Sequence, residues 1–213
     1  MNSNKFVKTV LVGTGTLLIL AGGMTAMIDP FFHYHKPLKQ LEYPLERGKE
    51  RYLNNGIIQN FDYDAAITGT SMMQNFKTSQ FDDLFGTHSV KVTLTGDTYW
   101  AIDEEIRTIF DNKSDIKYIF RCLDYNKIFD DKSDYNYDNV PTYLYDNNIW
   151  NDVQYLFNKD IFIDNTLGVI KYTLHGEKTP SMDEYSSWAA DYPVGTDYVL
   201  QTYSVPTKIE KQK

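Results

Sequence analysis

Cysteine occurs once in the 213 residues, at Cys122. A single thiol excludes an intramolecular disulfide framework and any cysteine-based metal cluster. Its place in an apolar run marks it as a small buried hydrophobe. Basic residues are also scarce: 21 Lys and Arg stand against 29 Asp and Glu, for a net charge of −8. That balance argues against a nucleic-acid partner, whose phosphates need a basic face. Long apolar runs are equally sparse, with a single one at the N-terminus. Nowhere does a histidine follow an aspartate by three residues, and histidine itself occurs only four times.

What is abundant is aromatic and polar. Tyrosine reaches 17 and phenylalanine 12, and the second half is rich in Asp and Asn. That mix suits wet, hydrogen-bonding surfaces, sugar sites among them. With 42% apolar residues the chain can bury a core of ordinary size, and its length favours one domain with extras.

Thr9 to Ile28 carries no charge. Twenty residues at ~1.5 Å each span roughly 30 Å, the thickness of a bilayer core. Lys5 and Lys8 precede the run and Asp29-Pro30 ends it. The basic flank predicts a cytoplasmic N-terminus over residues 1–8, a transmembrane anchor over 9–28, and an extracytoplasmic remainder at the cell membrane. A cleaved signal peptide is the alternative, since Ala21-Gly22-Gly23 offers small residues for cleavage. In Phe31-Phe32-His33-Tyr34-His35 the aromatics read as a membrane-interface belt, with two alternating histidines too few for a metal site. Residues 29–60 read as a juxtamembrane linker. Pro37 to Asn60 is expected to be irregular, with Arg47, Lys49, Glu50 and Arg51 solvated.

From Asp64 onward, strand and helix patterns alternate. Ala65–Thr68 is an apolar run stopped by Gly69. Thr78–Phe85 has a capping hydroxyl, early acids and a Gly86 stop, so it reads as a short helix. Ser89–Thr95 alternates and is β-branched, which predicts a strand closed by Gly96-Asp97. Trp100–Phe110 places apolar residues near helical spacing. Ile116–Phe120 is a third strand. Strand–helix–strand–helix–strand with short links predicts an α/β fold, a three-layer, doubly wound parallel sheet of flavodoxin-like type, over residues 61–213. Asp134 to Tyr145 imitates a calcium loop but has Asn139 and Tyr145 where Gly and Glu belong. Further short helices are expected within Ile149–Phe157 and around Leu167–Leu174. Thr179–Tyr192 reads as a polar loop and candidate lid carrying Trp188. Asp197–Lys213 reads as a helix beginning, so the domain is expected to be incomplete at its C-terminus.

Open parallel sheets place ligands and nucleophiles at their carboxyl edge. There the chain offers Gly69-Thr70-Ser71, then Thr95-Gly96-Asp97, then Cys122-Leu123-Asp124-Tyr125-Asn126. A serine there attacks only if a base takes its proton and donors hold the oxyanion. Ser71 is thus a candidate nucleophile, against the plainer role of capping the helix after the first strand.

This order of motifs, over about Asp64 to Asn126 and behind an N-terminal anchor, resembles the SGNH/GDSL hydrolase superfamily. It is similar to the membrane-anchored Gram-positive branch akin to the D-alanyl-lipoteichoic acid biosynthesis protein. The resemblance implies Ser71 as nucleophile, within Gly-Thr-Ser instead of Gly-Asp-Ser, and Gly96 as oxyanion glycine. In the third block Asp124 stands where an asparagine should donate, and an ionised carboxylate accepts hydrogen bonds only. Asn126 is the substitute donor. Asp97, Arg121, Asp124 and Tyr125 are the substrate-contact candidates, although Arg121 and Asp124 also read as a structural ion pair. The family's Asp-x-x-His base is missing. The implied activity is an acyl-ester hydrolase or acyltransferase acting on acylated envelope polysaccharide or teichoic acid, without metal or cofactor, and inactive or nearly so as this chain. The alternative is a non-catalytic, membrane-tethered binding or accessory protein.

Overall fold

The computed structural model describes residues 3–130, 132, 140–146 and 148–188. Residues 134–139 of the calcium-like loop and the C-terminal segment from Ala189 lie outside the described residues, as does the side chain of Asn126. The first helix, α1 (Ser3–Ile28), is long and apolar enough to cross a membrane. Its residues before Gly22 are exposed or half-buried, whereas Gly22, Thr25 and Ile28 are buried on one stripe.

The segment after α1 is not an interfacial aromatic belt. Phe31 and Phe32 are buried in the domain core. Asp29 drives this turn. It adopts a left-handed backbone (φ 51°), and its buried carboxylate accepts backbone N–H groups of His33 (2.9 Å), Tyr34 (2.7 Å) and His35 (3.0 Å). A local acceptor for three consecutive donors makes a tight turn that aims both phenylalanines inward. His33 Nε2 lies 3.4 Å from Asp152, while the His35 ring faces backbone carbonyls.

The expected irregular approach likewise gives way to a helix, α2 (Glu50–Asn60). Leu53, Ile57 and Ile58 share its buried face. Glu50 is buried, not solvated, and Arg51, half-buried, pairs with buried Asp97. Gly56 permits the close crossing, since a Cβ there would collide with the carbonyl oxygens of Phe31 and Phe32.

Beyond α2 the alternation is as the patterning predicts. In order come β1 (Ala65–Gly69), α3 (Thr78–Phe85), β2 (Ser89–Thr93), α4 (Tyr99–Asn112) and β3 (Tyr118–Arg121). The three strands form a parallel sheet in the order β2-β1-β3. Every residue of β1 is buried, as befits a central parallel strand. Successive β1 residues face opposite ways. Ala66 joins the main core with residues of α2, while Ala65 and Ile67 meet Met73, just after the strand, and Phe81 of α3. The helix α3 ends on Gly86 in the left-handed region (φ 63°), the stop its sequence signals. Its amino end is held differently from expectation. No local hydroxyl caps it; Asp183 accepts from Ser79 N (2.8 Å) and Thr78 Oγ1 (3.0 Å).

Three short elements follow: α5 (Val153–Leu156), a π-helical turn over Ile161–Thr166, and α6 (Leu167–Leu174). The first two pack on the last turns of α1, and α6 packs on the π-helical turn. Thr25 and Thr166 hydroxyls meet at 3.2 Å, both fully buried, and the Phe157 ring covers Gly22.

Candidate functional site

The carboxyl edge of the sheet gathers the predicted stretches. Gly69 ends β1 at φ 145°, where an added Cβ would lie 2.7 Å from Met73 Cγ and 3.3 Å from Cys122 Cβ. Only glycine lets the chain leave the strand between those two side chains. A 3₁₀ turn, Ser71–Asn75, follows at once and holds Ser71 at its start, half-buried. On one side β2 runs through Leu94, whose N–H donates to Gly69 O (3.0 Å), into the Gly96-Asp97 turn. On the other, Cys122 N donates to Thr68 O (3.2 Å) and carries β3 toward Asp124. The three motif stretches therefore stand side by side, with the serine stretch in the middle.

Their detailed partners differ from expectation. Asp124 does not pair with Arg121. It accepts from Thr70 Oγ1, and its backbone carbonyl accepts from Tyr99 OH at 2.7 Å. Arg121 instead pairs with Asp103 on α4 and lies over the Tyr99 ring at 4.9 Å. Thr70 and Asp124 thus form one matched pair, a hydroxyl donating to a carboxylate. Burial and the adjacent Asp124 raise the Cys122 thiol pKa, so this thiol stays protonated. Asp97 is buried and committed to Arg51 and to Thr98 N (3.1 Å). Gly96 turns in the left-handed region (φ 69°), and its carbonyl accepts from Lys127 Nζ at 3.1 Å. Tyr125 is largely exposed.

No histidine is engaged with Ser71. His33 and His35 belong to the Asp29 turn, and His175 lies 3.9 Å from Glu177. His88 precedes β2, whose Ser89 pairs with Ala65 at the amino edge, the opposite end of the sheet from Ser71.

Residues outside the three strand-end stretches complete the site. Trp188 Nε1 donates to Ser71 O at 2.8 Å, and Trp188 N donates to Asn75 Oδ1 at 3.0 Å. Trp188 of the predicted lid thus lies against the serine turn. Beneath it Gln74 Nε2 bridges Glu50 Oε1 (2.9 Å) and Thr95 Oγ1 (2.6 Å), and Ser186 Oγ reaches the same Glu50 oxygen at 3.1 Å. Lys91, fully buried, donates to the carbonyls of Gln74 (2.7 Å), Asp183 (2.8 Å) and Tyr185 (3.1 Å). Burial pulls its pKa down to about 8, with Asp183 opposing. Further along α4, Glu105 accepts from Tyr145 OH (3.0 Å) and Asn54 Nδ2 (3.4 Å), while its Oε2 is buried without a partner. Burial pushes its carboxyl up to about 7, against those two hydrogen bonds. An open cleft of about 540 Å³ lies beside Glu50, Arg51 and Thr95 and does not include Ser71. The only local hint of this layer was polar residues at core-facing positions: Glu50 and Asn54 on α2, Lys91 and Thr93 on β2.

No protein-family model, curated protein or solved structure matches the chain. Function is therefore read from the site's own chemistry.

Proposed function

We propose that this chain is a membrane-anchored protein of SGNH-like type that handles acyl esters of the cell envelope at the carboxyl edge of its sheet. In this reading α1 is the anchor, Lys5 and Lys8 stay in the cytoplasm, and the sheet extends to the doubly wound, three-layer form of such hydrolases. The supporting observation is the strand order: β1 is central, so Ser71 emerges between the Gly96-Asp97 turn and the Asp124 stretch. Ser71 Oγ would attack the acyl carbonyl as its proton passes to water, with Gly96 N–H stabilising the oxyanion. The ester C–O bond then breaks, the polymer leaves as its alcohol, and water releases the acyl group from Ser71 as the acid. The acyl donor is an esterified envelope polysaccharide or teichoic acid. All four histidines have other surroundings, so a serine without its general base is expected to turn over at a small fraction of a complete triad's rate.

The test is labelling of the full chain in membranes with a fluorophosphonate probe, beside a folded Ser71→Ala variant. Slow, Ser71-dependent labelling is the expected result. Labelling that is absent, or unchanged in the variant, removes Ser71 as a nucleophile.

The Thr70–Asp124 and Trp188–Ser71 contacts favour a second reading, a tethered binding module without turnover. It predicts that Ser71→Ala retains wild-type affinity for acylated teichoic acid in a pull-down, with no ester released by either protein.

A further inference from the structure

The last turns of α1 are not free. Gly22 lies under the Phe157 ring, where a Cβ would come within 2.8 Å of Cε1, and Thr25 meets Thr166. Phe157 therefore lies alongside α1 at the level of Gly22 and Thr166 at the level of Thr25, not beyond the helix end. If the uncharged run from Thr9 to Ile28 fills the hydrocarbon core, Gly22 lies six residues, or about 9 Å, inside it. Starting the span at Phe6 instead still leaves Gly22 about 5 Å inside. Apolar side chains are presented there on either side of the exposed Lys159–Asp160 pair. Phe157 and Ile163 are about half exposed (48% and 47%), and on α1 Met27 (71%) and Leu20 (58%) are exposed at the same depth range. The backbone is also prepared for a dry setting. Asn158 Oδ1 accepts from Asp160 N (2.9 Å) and Ile161 N (3.2 Å), and Asn158 O accepts from Phe162 N (2.9 Å). These three backbone donors are satisfied within the segment, as an acyl-chain boundary demands. Exposed Lys159 sits at the tip, where an ammonium can reach lipid phosphate.

We propose that residues 157–163 form a second membrane contact, a foot resting in the outer leaflet beside α1. Phe157 and Ile163 enter the acyl boundary and Lys159 meets the phosphates of anionic phospholipid. The foot holds the domain at a fixed height and tilt over the bilayer. This inference rests on α1 crossing the membrane.

The test uses the full chain in phosphatidylglycerol–phosphatidylcholine vesicles, with Cys122→Ala and one added cysteine carrying an environment-sensitive fluorophore. The positions are Ile163→Cys, Lys159→Cys, Leu17→Cys in the span, and Leu84→Cys, which is 80% exposed on α3. Spin-labelled lipid should quench positions 17 and 163, and iodide should quench both several-fold less than position 84. Position 159 should be intermediate. Lipid quenching at 17 with positions 159 and 163 as iodide-accessible as 84 would overturn the foot and leave the anchor standing. Iodide access at position 17 would remove the anchor, and the foot with it.

Discussion

Glu105 is a carboxyl buried between helices, with one oxygen hydrogen-bonded and the other unpartnered. Its pKa rises from 4.5 to about 7, so between those values the folded chain holds a proton the unfolded chain has released. Its contribution to stability therefore falls as pH rises from 4.5 to 7 and is flat above, a span of about 3 kcal/mol at most. Glu105→Gln keeps an acceptor for Tyr145 and removes the charge. It should stabilise the protein by roughly 1–3 kcal/mol at pH 8, with little effect at pH 4.5, by urea unfolding. Equal effects at both pH values would contradict the burial argument. Lys91 has the opposite sign: its pKa lies below 10.5 when folded, so its contribution grows as pH rises from about 8 to 10.5. At Gly69 the backbone itself is the constraint. Gly69→Ala combines a disfavoured φ with a collision against Met73, and should cost about 2–4 kcal/mol in the same assay. A cost under about 0.5 kcal/mol would show that β1 can end without this turn.

Among elements, α3 and β2 show how a distant segment finishes what local sequence begins. The boundaries of α3 were legible because an apolar face and a terminal glycine lie within one short stretch. Its amino cap was not, since the acceptor is Asp183, 105 positions from Thr78 and 104 from Ser79. Asp183→Ala should lower stability by about 1–2 kcal/mol, the usual cost of a lost cap. Lys91 alternates correctly for a strand yet places an ammonium in the interior, where three carbonyls receive it. Two of these belong to the 183–185 stretch, so Lys91→Met should strand those acceptors and loosen the segment that brings Trp188 to Ser71. The expected readout is faster amide exchange over residues 183–188, with β1 protection little changed. Unchanged exchange there would mean that Lys91 does not hold the segment.

For the whole molecule, the decisive feature is the junction of α1 with the domain. Asp29 carries it, accepting three backbone donors and Tyr155 OH (2.7 Å), with Tyr155 itself fully buried. Asp29→Ala leaves those donors unpaired and should destabilise by about 3 kcal/mol or more. Gly56→Ala attacks the same junction from α2 by forcing a methyl group onto the Phe31 and Phe32 carbonyls. Both variants should turn the rigid junction into a flexible one, seen as proteolytic cleavage near residues 29–36 that the wild type resists. Protection equal to wild type would show that the turn survives without its acceptor.

Local physics determined much of this protein from sequence alone. Apolar length marks α1, and periodicity with glycine stops marks β1, α3, β2 and α4 to within a few residues, because each signal lies inside the element it specifies. The same logic placed Ser71, Gly96 and Asp124 at successive strand ends, and the parallel pairing then set them side by side. Only the tertiary structure decided which side chain answers which. Tyr155 reaches Asp29 across 126 positions, Ser186 reaches Glu50 across 136, and Trp188 reaches Ser71 across 117. Pairings over such separations leave no periodic trace. For that reason the 29–60 segment reads as a solvated linker in sequence and forms the base of the core in the folded chain.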